Sequence, residues 1–214
     1  NGYYFGNDVS SLLISEEFRT NKTIHGNNTL TALVGKNDKF YTLQIPVTLI
    51  TDEIGDVVRF NELMKSDSAE YAIYGYYKLT ADIGNSKSEF NNGNDKNWQN
   101  VDGIYGFRGT LDGAGHSITG TVLARGLFGL VGKGALIKNL TVNAYGYANG
   151  RTVLARTIRD AVVENVKINI KSGESDSYLT EGGIITALMS HSTIYRNVEI
   201  NSDGKTDTLF GCSY

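Results

Sequence analysis

The sequence predicts an all-β protein whose residues 76–214 form a parallel β-helix, a solenoid of stacked coils. Two observations carry that expectation. Composition favours pleated, half-buried surfaces: Thr, Ile, Val and Tyr are frequent, and 25 Gly stand against a single Pro in 214 residues. Such a chain turns at Gly, Asn and Asp, which reach the left-handed backbone region, rather than at proline. The second observation is internal repetition, in which asparagines recur in register along three segments.

Residues 1–52 read as a small β-sandwich-like segment. Val9 to Ile14 is expected as a first strand. Thr29 to Val34 alternates polar and apolar residues, as a half-buried strand does. Gly35 to Lys39 has the composition of a turn. Phe40 to Thr51 follows as a long strand holding Pro46, which places it at a sheet edge or at a bulge. About fifty residues is small for a complete sandwich, so the segment is reduced or truncated. Residues 53–75 are a linker and a capping helix. Asp52 to Gly55 reads as the linker, and Asp56 as an N-cap. Phe60, Leu63 and Met64 at helical spacing then predict a short amphipathic helix over residues 57–66. A helix there covers the open end of a solenoid, which is otherwise an unpaired sheet edge.

The repeats define the rest of the chain. Leu127 to Asn143, Val153 to Asn169 and Ile185 to Asn201 align without gaps. Apolar residues coincide at the first position (Leu127, Val153, Ile185) and at the tenth (Leu136, Val162, Ile194). They coincide again at the eleventh (Ile137, Val163, Tyr195), the fourteenth (Leu140, Val166, Val198) and the sixteenth (Val142, Ile168, Ile200). Asn139, Asn165 and Asn197 share one position, and Asn143, Asn169 and Asn201 another. The spacings are 26 and 32 residues, and the longer one absorbs a polar insertion, Ser172 to Glu181. Each coil alone cannot bury its apolar face, but stacked coils share one core and tolerate insertions at a corner. The aligned asparagines are expected to stack at a bend as a structural ladder, their amides bonding along the axis. Leu209-Phe210-Gly211 matches Leu127-Phe128-Gly129, so a fourth coil begins there, and the β-helix is expected to be truncated at its C-terminus.

Charge excludes some function classes. The 20 Lys and Arg against 23 Asp and Glu give a net charge of −3. No field of that size, and no basic run, points to nucleic acid. The one cysteine, Cys212, permits no intrachain disulfide and no cysteine-based zinc site. No apolar run approaches the ~18–20 residues that a membrane span needs. Asn1 in first position reads as the start of a mature fragment whose targeting segment lies outside it.

Several strings resemble a known family. They are Gly75 to Ile83 (GYYKLTADI), Phe107 to Ile118 (FRGTLDGAGHSI), Gly126 to Gly129 (GLFG) and Ile137 to Leu140 (IKNL). Together they resemble bacterial cell-surface proteins with GLUG-type repeats, over roughly residues 56–214. The resemblance implies a right-handed β-helix preceded by an immunoglobulin-like module, for which residues 1–52 are the counterpart. It also implies export, surface display, and adhesion-like or polysaccharide-associated roles, with no shared catalytic site. Leu154-Ala155 and Thr186-Ala187 replace the Phe-Gly of the first GLFG in the next coils.

Candidate sites divide between chemistry and structure. Asp112 and His116 in LDGAGHSI could serve as acid and base in a polysaccharide-cleaving β-helix. The preferred reading is a tight turn with Asp and Gly at positive φ and His packing between rungs. Asp82, Asp95 and Asp102 lack any calcium-loop pattern and read as solvated loop. His25 and His191 have no ligand spacing. Cys212 reads as a core thiol. Gly126 to Gly134 lacks the Gly-Lys-Ser/Thr of a phosphate loop. Tyr71, Tyr74, Tyr76, Tyr77, Trp98 and Tyr105 are either core packing or a sugar-stacking platform, and Tyr74, Tyr76, Trp98 and Tyr105 are the binding candidates. Lys138, Glu164 and Arg196 fall in one outward column of mixed sign, which reads as a charge ladder.

The expected function is a non-enzymatic adhesion or ligand-display module, extracellular, with no cofactor, no metal and no catalytic residue. The alternatives are a carbohydrate-active β-helix (polysaccharide lyase or glycoside hydrolase) and a structural stalk. Expected partners are a cell-surface or host glycan or protein, with an end-to-end contact at the open C-terminal rung.

Overall fold

The computed structural model describes residues 24–36, 39–49, 51–65, 75–90, 106–122, 126–147, 152–172, 183–203 and 209–210. The expected strand at Val9 to Ile14 lies outside them. The first two strands, β1 (Ile24–Lys36) and β2 (Lys39–Leu49), form an antiparallel two-stranded sheet. The expected turn at Gly35 to Lys39 is shorter than its composition suggested, because β1 runs on through Lys36 and β2 resumes at Lys39. Pro46 pairs in register with Thr29. Among the described strands β2 pairs with β1 alone, an edge position of the kind that tolerates proline.

The expected linker at Asp52 to Gly55 is instead a strand. β3 (Thr51–Ile54) pairs in parallel with β4 (Tyr76–Leu79), in the register Thr51↔Tyr76 to Ile54↔Leu79. Charged neighbours hid it in the sequence, where Ile54 is a single apolar residue between Glu53 and Gly55. Its side chain is fully buried. The helix α1 (Val57–Lys65) starts where the sequence placed it. Asp56 Oδ1 accepts the Arg59 N–H at 2.7 Å, and its carbonyl accepts the Phe60 N–H at 3.1 Å. That is an N-cap satisfying donors with no intrahelical partner. Phe60 and Leu63 are buried beside Ile54 in the core, and Arg59 pairs with Asp52, which ties α1 back to β3.

The remaining strands are β5 (Ile83–Phe90), β6 (Thr110–Asp112), β7 (Ser117–Val122), β8 (Phe128–Val131), β9 (Leu136–Tyr147), β10 (Ala155–Arg159), β11 (Val162–Ser172), β12 (Thr186–His191) and β13 (Ile194–Ser202). They build two parallel sheets. One has the order β12-β10-β8, and the other runs β13-β11-β9-β6-β4-β3, with β7 pairing both β5 and β9. Among the described residues the protein is therefore mostly parallel sheet with one short helix. Register reproduces the repeat alignment along β9, β11 and β13, whereas β10 is shifted by one residue on β8, with Ala155 opposite Phe128 rather than Gly129, and on β12 at Ala155, which stands opposite Thr186. Leu140, Val166 and Val198 stand opposite one another, as do Val142, Ile168 and Ile200. The second column continues through Ile118 to Ile83. Ile83, Ile118, Val142 and Ile168 are at most 2% exposed, whereas Val198 and Ile200 on the edge strand β13 are only partly buried. At one corner of the core, Phe107 stacks on Phe128 with centroids 4.9 Å apart and meets Tyr77 at 6.1 Å.

Asparagine shapes each strand. Asn139, Asn165 and Asn197 have φ of 52°, 52° and 49°. A left-handed residue breaks the two-residue alternation of a strand. Ile137 and Leu140, three apart, would otherwise face opposite sides, yet both are buried. Val163 and Val166 repeat the pattern. A second left-handed column, Gly134, Asp160 and Ser192, marks the turn before each of these strands.

Candidate functional site

The outward side of the larger sheet carries the polar groups. Its centre is Asp112, at the end of β6, which is only 8% exposed. Four donors converge on it. Oδ1 accepts the Ala114 N–H at 2.9 Å and the Asn139 amide at 3.2 Å. Oδ2 accepts the Tyr76 hydroxyl at 2.8 Å, and the Lys138 ammonium lies 3.4 Å away. Lys138 also sits over the Tyr76 ring, 6.0 Å from its centroid. Burial alone would raise the Asp112 pKa. The Ala114, Tyr76 and Asn139 bonds and the Lys138 charge outweigh it and hold the carboxyl below its ordinary value.

Backbone geometry delivers these groups. Ala114 and Gly115 have φ of 50° and 87°, and the His116 N–H closes the turn onto the Gly113 carbonyl at 2.7 Å. The positive φ values fall on Ala114 and Gly115, not on Asp112, which corrects the expected turn. Gly113 is required by contact rather than by φ: a Cβ there would stand 2.3 Å from the Asn139 carbonyl oxygen. His116 Nδ1 lies 3.6 Å from the Asp82 carboxylate. Asp82 is fixed chiefly by the Ser117 backbone N–H at 2.7 Å, which lowers its pKa. Asp112 and His116 thus have different partners.

Asp112 also heads a ladder. Asn139 donates to it, Asn165 donates to Asn139 Oδ1 at 3.1 Å, and Asn197 donates to Asn165 Oδ1 at 2.9 Å. A parallel ladder runs from Asn201 through Asn169 and Asn143 to the Thr119 hydroxyl, with bonds of 3.0, 2.8 and 2.9 Å.

The charged column is longer than the three residues seen in the repeats. Register places Glu53 opposite Lys78, Lys78 opposite Asp112, Asp112 opposite Lys138, Lys138 opposite Glu164, and Glu164 opposite Arg196. The sign alternates at every step. Arg196 reaches Glu164 at 3.4 Å. Sequence reasoning missed the first three members because β3, β4 and β6 belong to segments that do not align without gaps to the later repeats. The usable signal was the match of single charges flanked by buried residues, as in Tyr77-Lys78-Leu79 and Ile137-Lys138.

Of the aromatic binding candidates, Tyr76 is engaged with Asp112, while Tyr74, Trp98 and Tyr105 lie outside the described residues, as do Tyr71, Asp95, Asp102 and Cys212. Tyr77 belongs to the core, where burial raises its pKa. His191 sits 4.0 Å from Asp160 and His25 lies in β1. The glycine-rich string from Gly126 holds the buried strand β8. No group of three or more His, Cys, Asp or Glu side chains able to hold a metal occurs among the described residues. No helix among them is long and apolar enough to cross a membrane.

The chemistry open to Asp112 is narrow. An ionised carboxylate offers about four acceptor positions, and four donors occupy them here. Its depressed pKa leaves it without a proton to give at neutral pH, and its saturated oxygens are poorly placed to take one. The arrangement orders β4, β6 and β9 on one another. Comparison with known proteins finds no matching protein family, no matching curated protein and no matching solved structure.

Proposed function

We propose that this chain is a non-enzymatic display or adhesion module of an exported bacterial surface protein, built as a right-handed β-helix whose N-terminal end α1 caps. The observation that carries the reading is the use of the outward polar groups. Asp112, Lys138, Glu164, Arg196 and both asparagine ladders bond from tier to tier. A catalytic carboxylate keeps a lone pair or a proton for its substrate, whereas these groups are committed to stacking. The paired parallel sheets support the coil geometry: partners lie 26 and 32 residues apart along β9, β11 and β13, and 27 and 31 to 32 residues apart along β8, β10 and β12. Stacks of this kind present long regular surfaces suited to a protein or glycan partner. The resemblance of residues 56–214 to GLUG-type repeats, with residues 1–52 as an immunoglobulin-like module, supports the extracellular setting.

The test combines two assays on the whole chain. Pectic and host polysaccharides are incubated with it and followed for new reducing ends and unsaturated sugar products, and the chain is applied to glycan and matrix-protein arrays. The expected outcome is no cleavage and saturable retention on at least one surface. Cleavage that Asp112→Asn abolishes would overturn the proposal in favour of a carbohydrate-active enzyme.

A further inference from the structure

We infer that the β13 edge is a template for strand addition. Its occupant is a parallel strand carrying an acidic residue, then asparagine, then two apolar residues flanking one polar residue, then a second asparagine. The inference rests on the register of the described strands and is independent of the adhesion reading.

Three features of the edge converge on that pattern. The first is the direction of the amide ladders. Asn165, Asn169, Asn197 and Asn201 donate through Nδ2 to the asparagine one tier back, Asn201 also donating to Glu199, and Asn139, Asn143, Asn165 and Asn169 accept through Oδ1. At β13 the chain of donors ends: among the described residues no donor reaches the Oδ1 of Asn197 or Asn201. Both side chains are exposed, so these acceptors face outward, four residues apart on one strand. Only a group with an amide or similar donor at both positions continues the ladders.

The second feature is charge. The alternating column ends on Arg196, an exposed cation whose partner Glu164 lies on the inner side. The next member in sequence of sign is acidic. The third is the apolar face. Val198 and Ile200 are partly exposed at this edge, while their equivalents Val166 and Ile168 are at most 1% exposed. Leu209 and Phe210 are 49% and 37% exposed, and Phe210 pairs with Thr186 and packs on Tyr195. A strand laid along β13 covers Val198 and Ile200 as β13 covers Val166 and Ile168.

A second copy of this chain does not meet these requirements. At the opposite edge β3 offers Thr51, Asp52, Glu53 and Ile54, with Asp52 already paired with Arg59 of α1, and β5 sets Gly84 rather than an asparagine in the column of Asn143, Asn169 and Asn201. The occupant is a strand of the repeat type itself, added edge to edge.

The sequence of β11 is the natural probe. Placed parallel and one tier beyond β13, it sets Glu opposite Arg196, Asn opposite Asn197, Val opposite Val198, Ile opposite Ile200 and Asn opposite Asn201, which is the register β11 keeps with β13 now. A fluorescent peptide of residues 162–172 is titrated with the 214-residue chain and read by anisotropy. Saturable binding is expected. Replacing both asparagines of the peptide by alanine should weaken it by about tenfold or more, since two hydrogen bonds are lost. A peptide with lysine in place of its glutamate should bind weakly to the native chain and recover on Arg196→Glu. Val198→Lys, at a partly exposed edge position, should abolish binding with an unchanged circular dichroism spectrum. Equal binding of the parent and asparagine-free peptides overturns the inference, as does no binding of either. Concentration-dependent dimerisation of the chain alone, lost on Val198→Lys, overturns it in favour of a second copy.

Discussion

Asn165 separates the two roles of the ladder asparagines, one in the backbone and one in the side chain. Its φ is 52°, a conformation that costs an ordinary L-residue about 1–2 kcal/mol. Its side chain donates to Asn139 and accepts from Asn197. Both bonds are at the exposed face, so each contributes toward the low end of the usual range, about 0.5 kcal/mol. Asn165→Ala loses both bonds and meets the left-handed strain, for a total near 2–3 kcal/mol. Asn165→Gly loses the same bonds but not the strain, and adds only the glycine entropy of ~0.5–1 kcal/mol, for a total near 1.5–2 kcal/mol. Asn197→Ala, at the end of the ladder, loses one bond and should fall about 0.5 kcal/mol short of Asn165→Ala. The assay is urea unfolding followed by far-ultraviolet circular dichroism, with midpoints compared at equal slope. Glycine at position 165 proving worse than alanine would refute the conformational argument. Equal costs for Asn165→Ala and Asn197→Ala would refute the ladder.

Three further outcomes follow from the same geometry. Ile168→Ala, in the fully buried column, should cost ~2–5 kcal/mol, whereas Ile200→Ala at the half-covered edge should cost clearly less, as measured by the same urea series. Gly113→Ala should abolish soluble expression, because its Cβ meets the Asn139 backbone. Gly115→Ala has open space and should lose only ~1–2 kcal/mol to its φ of 87°, as thermal melts will show. The Asp112 carboxyl is held below its ordinary value of 3.8, so its stabilisation is complete above that pH and is lost as pH falls through the lower folded value. Asp112→Asn should remove this part of the acid sensitivity, so that the stability difference between wild type and variant shrinks on acidification below about pH 4.

The later repeats were legible because their alignment has no gaps. Leu140, Val166 and Val198 could be matched by counting, and so could both asparagine columns. The earlier tiers resisted because insertions break the count between Glu53, Lys78 and Asp112, and because a strand as short as Thr51–Ile54 has too few residues to show alternation. Ile54 reads as an isolated apolar residue until its partner Leu79 is known. Asp112 was visible as a turn aspartate, but its bond to Tyr76 links residues 36 apart and leaves no local trace. Direction along the ladders is also invisible in sequence, since an asparagine column reads the same both ways.

Interior columns cannot by themselves determine which strand pairs with which. Ile83, Ile118, Val142, Ile168 and Ile200 are close to interchangeable, so a strand that skipped a neighbour would find nearly the same apolar surface. The asparagines are interchangeable too, because each tier from β9 onward offers the same donor and acceptor. The alternating column is different. Skipping one tier brings Asp112 onto Glu164, or Lys138 onto Arg196, across one strand spacing of about 4.8 Å. At that distance a unit pair is worth ~1 kcal/mol in water and ~3 kcal/mol at an effective dielectric near 20, and the skip converts attraction into repulsion of similar size. Asp112 adds direction to this parity. It only accepts hydrogen bonds, so the first asparagine must donate to it, and every later amide then has one orientation available. The carboxylate that most resembled a catalytic residue therefore sets the order and polarity of the stack.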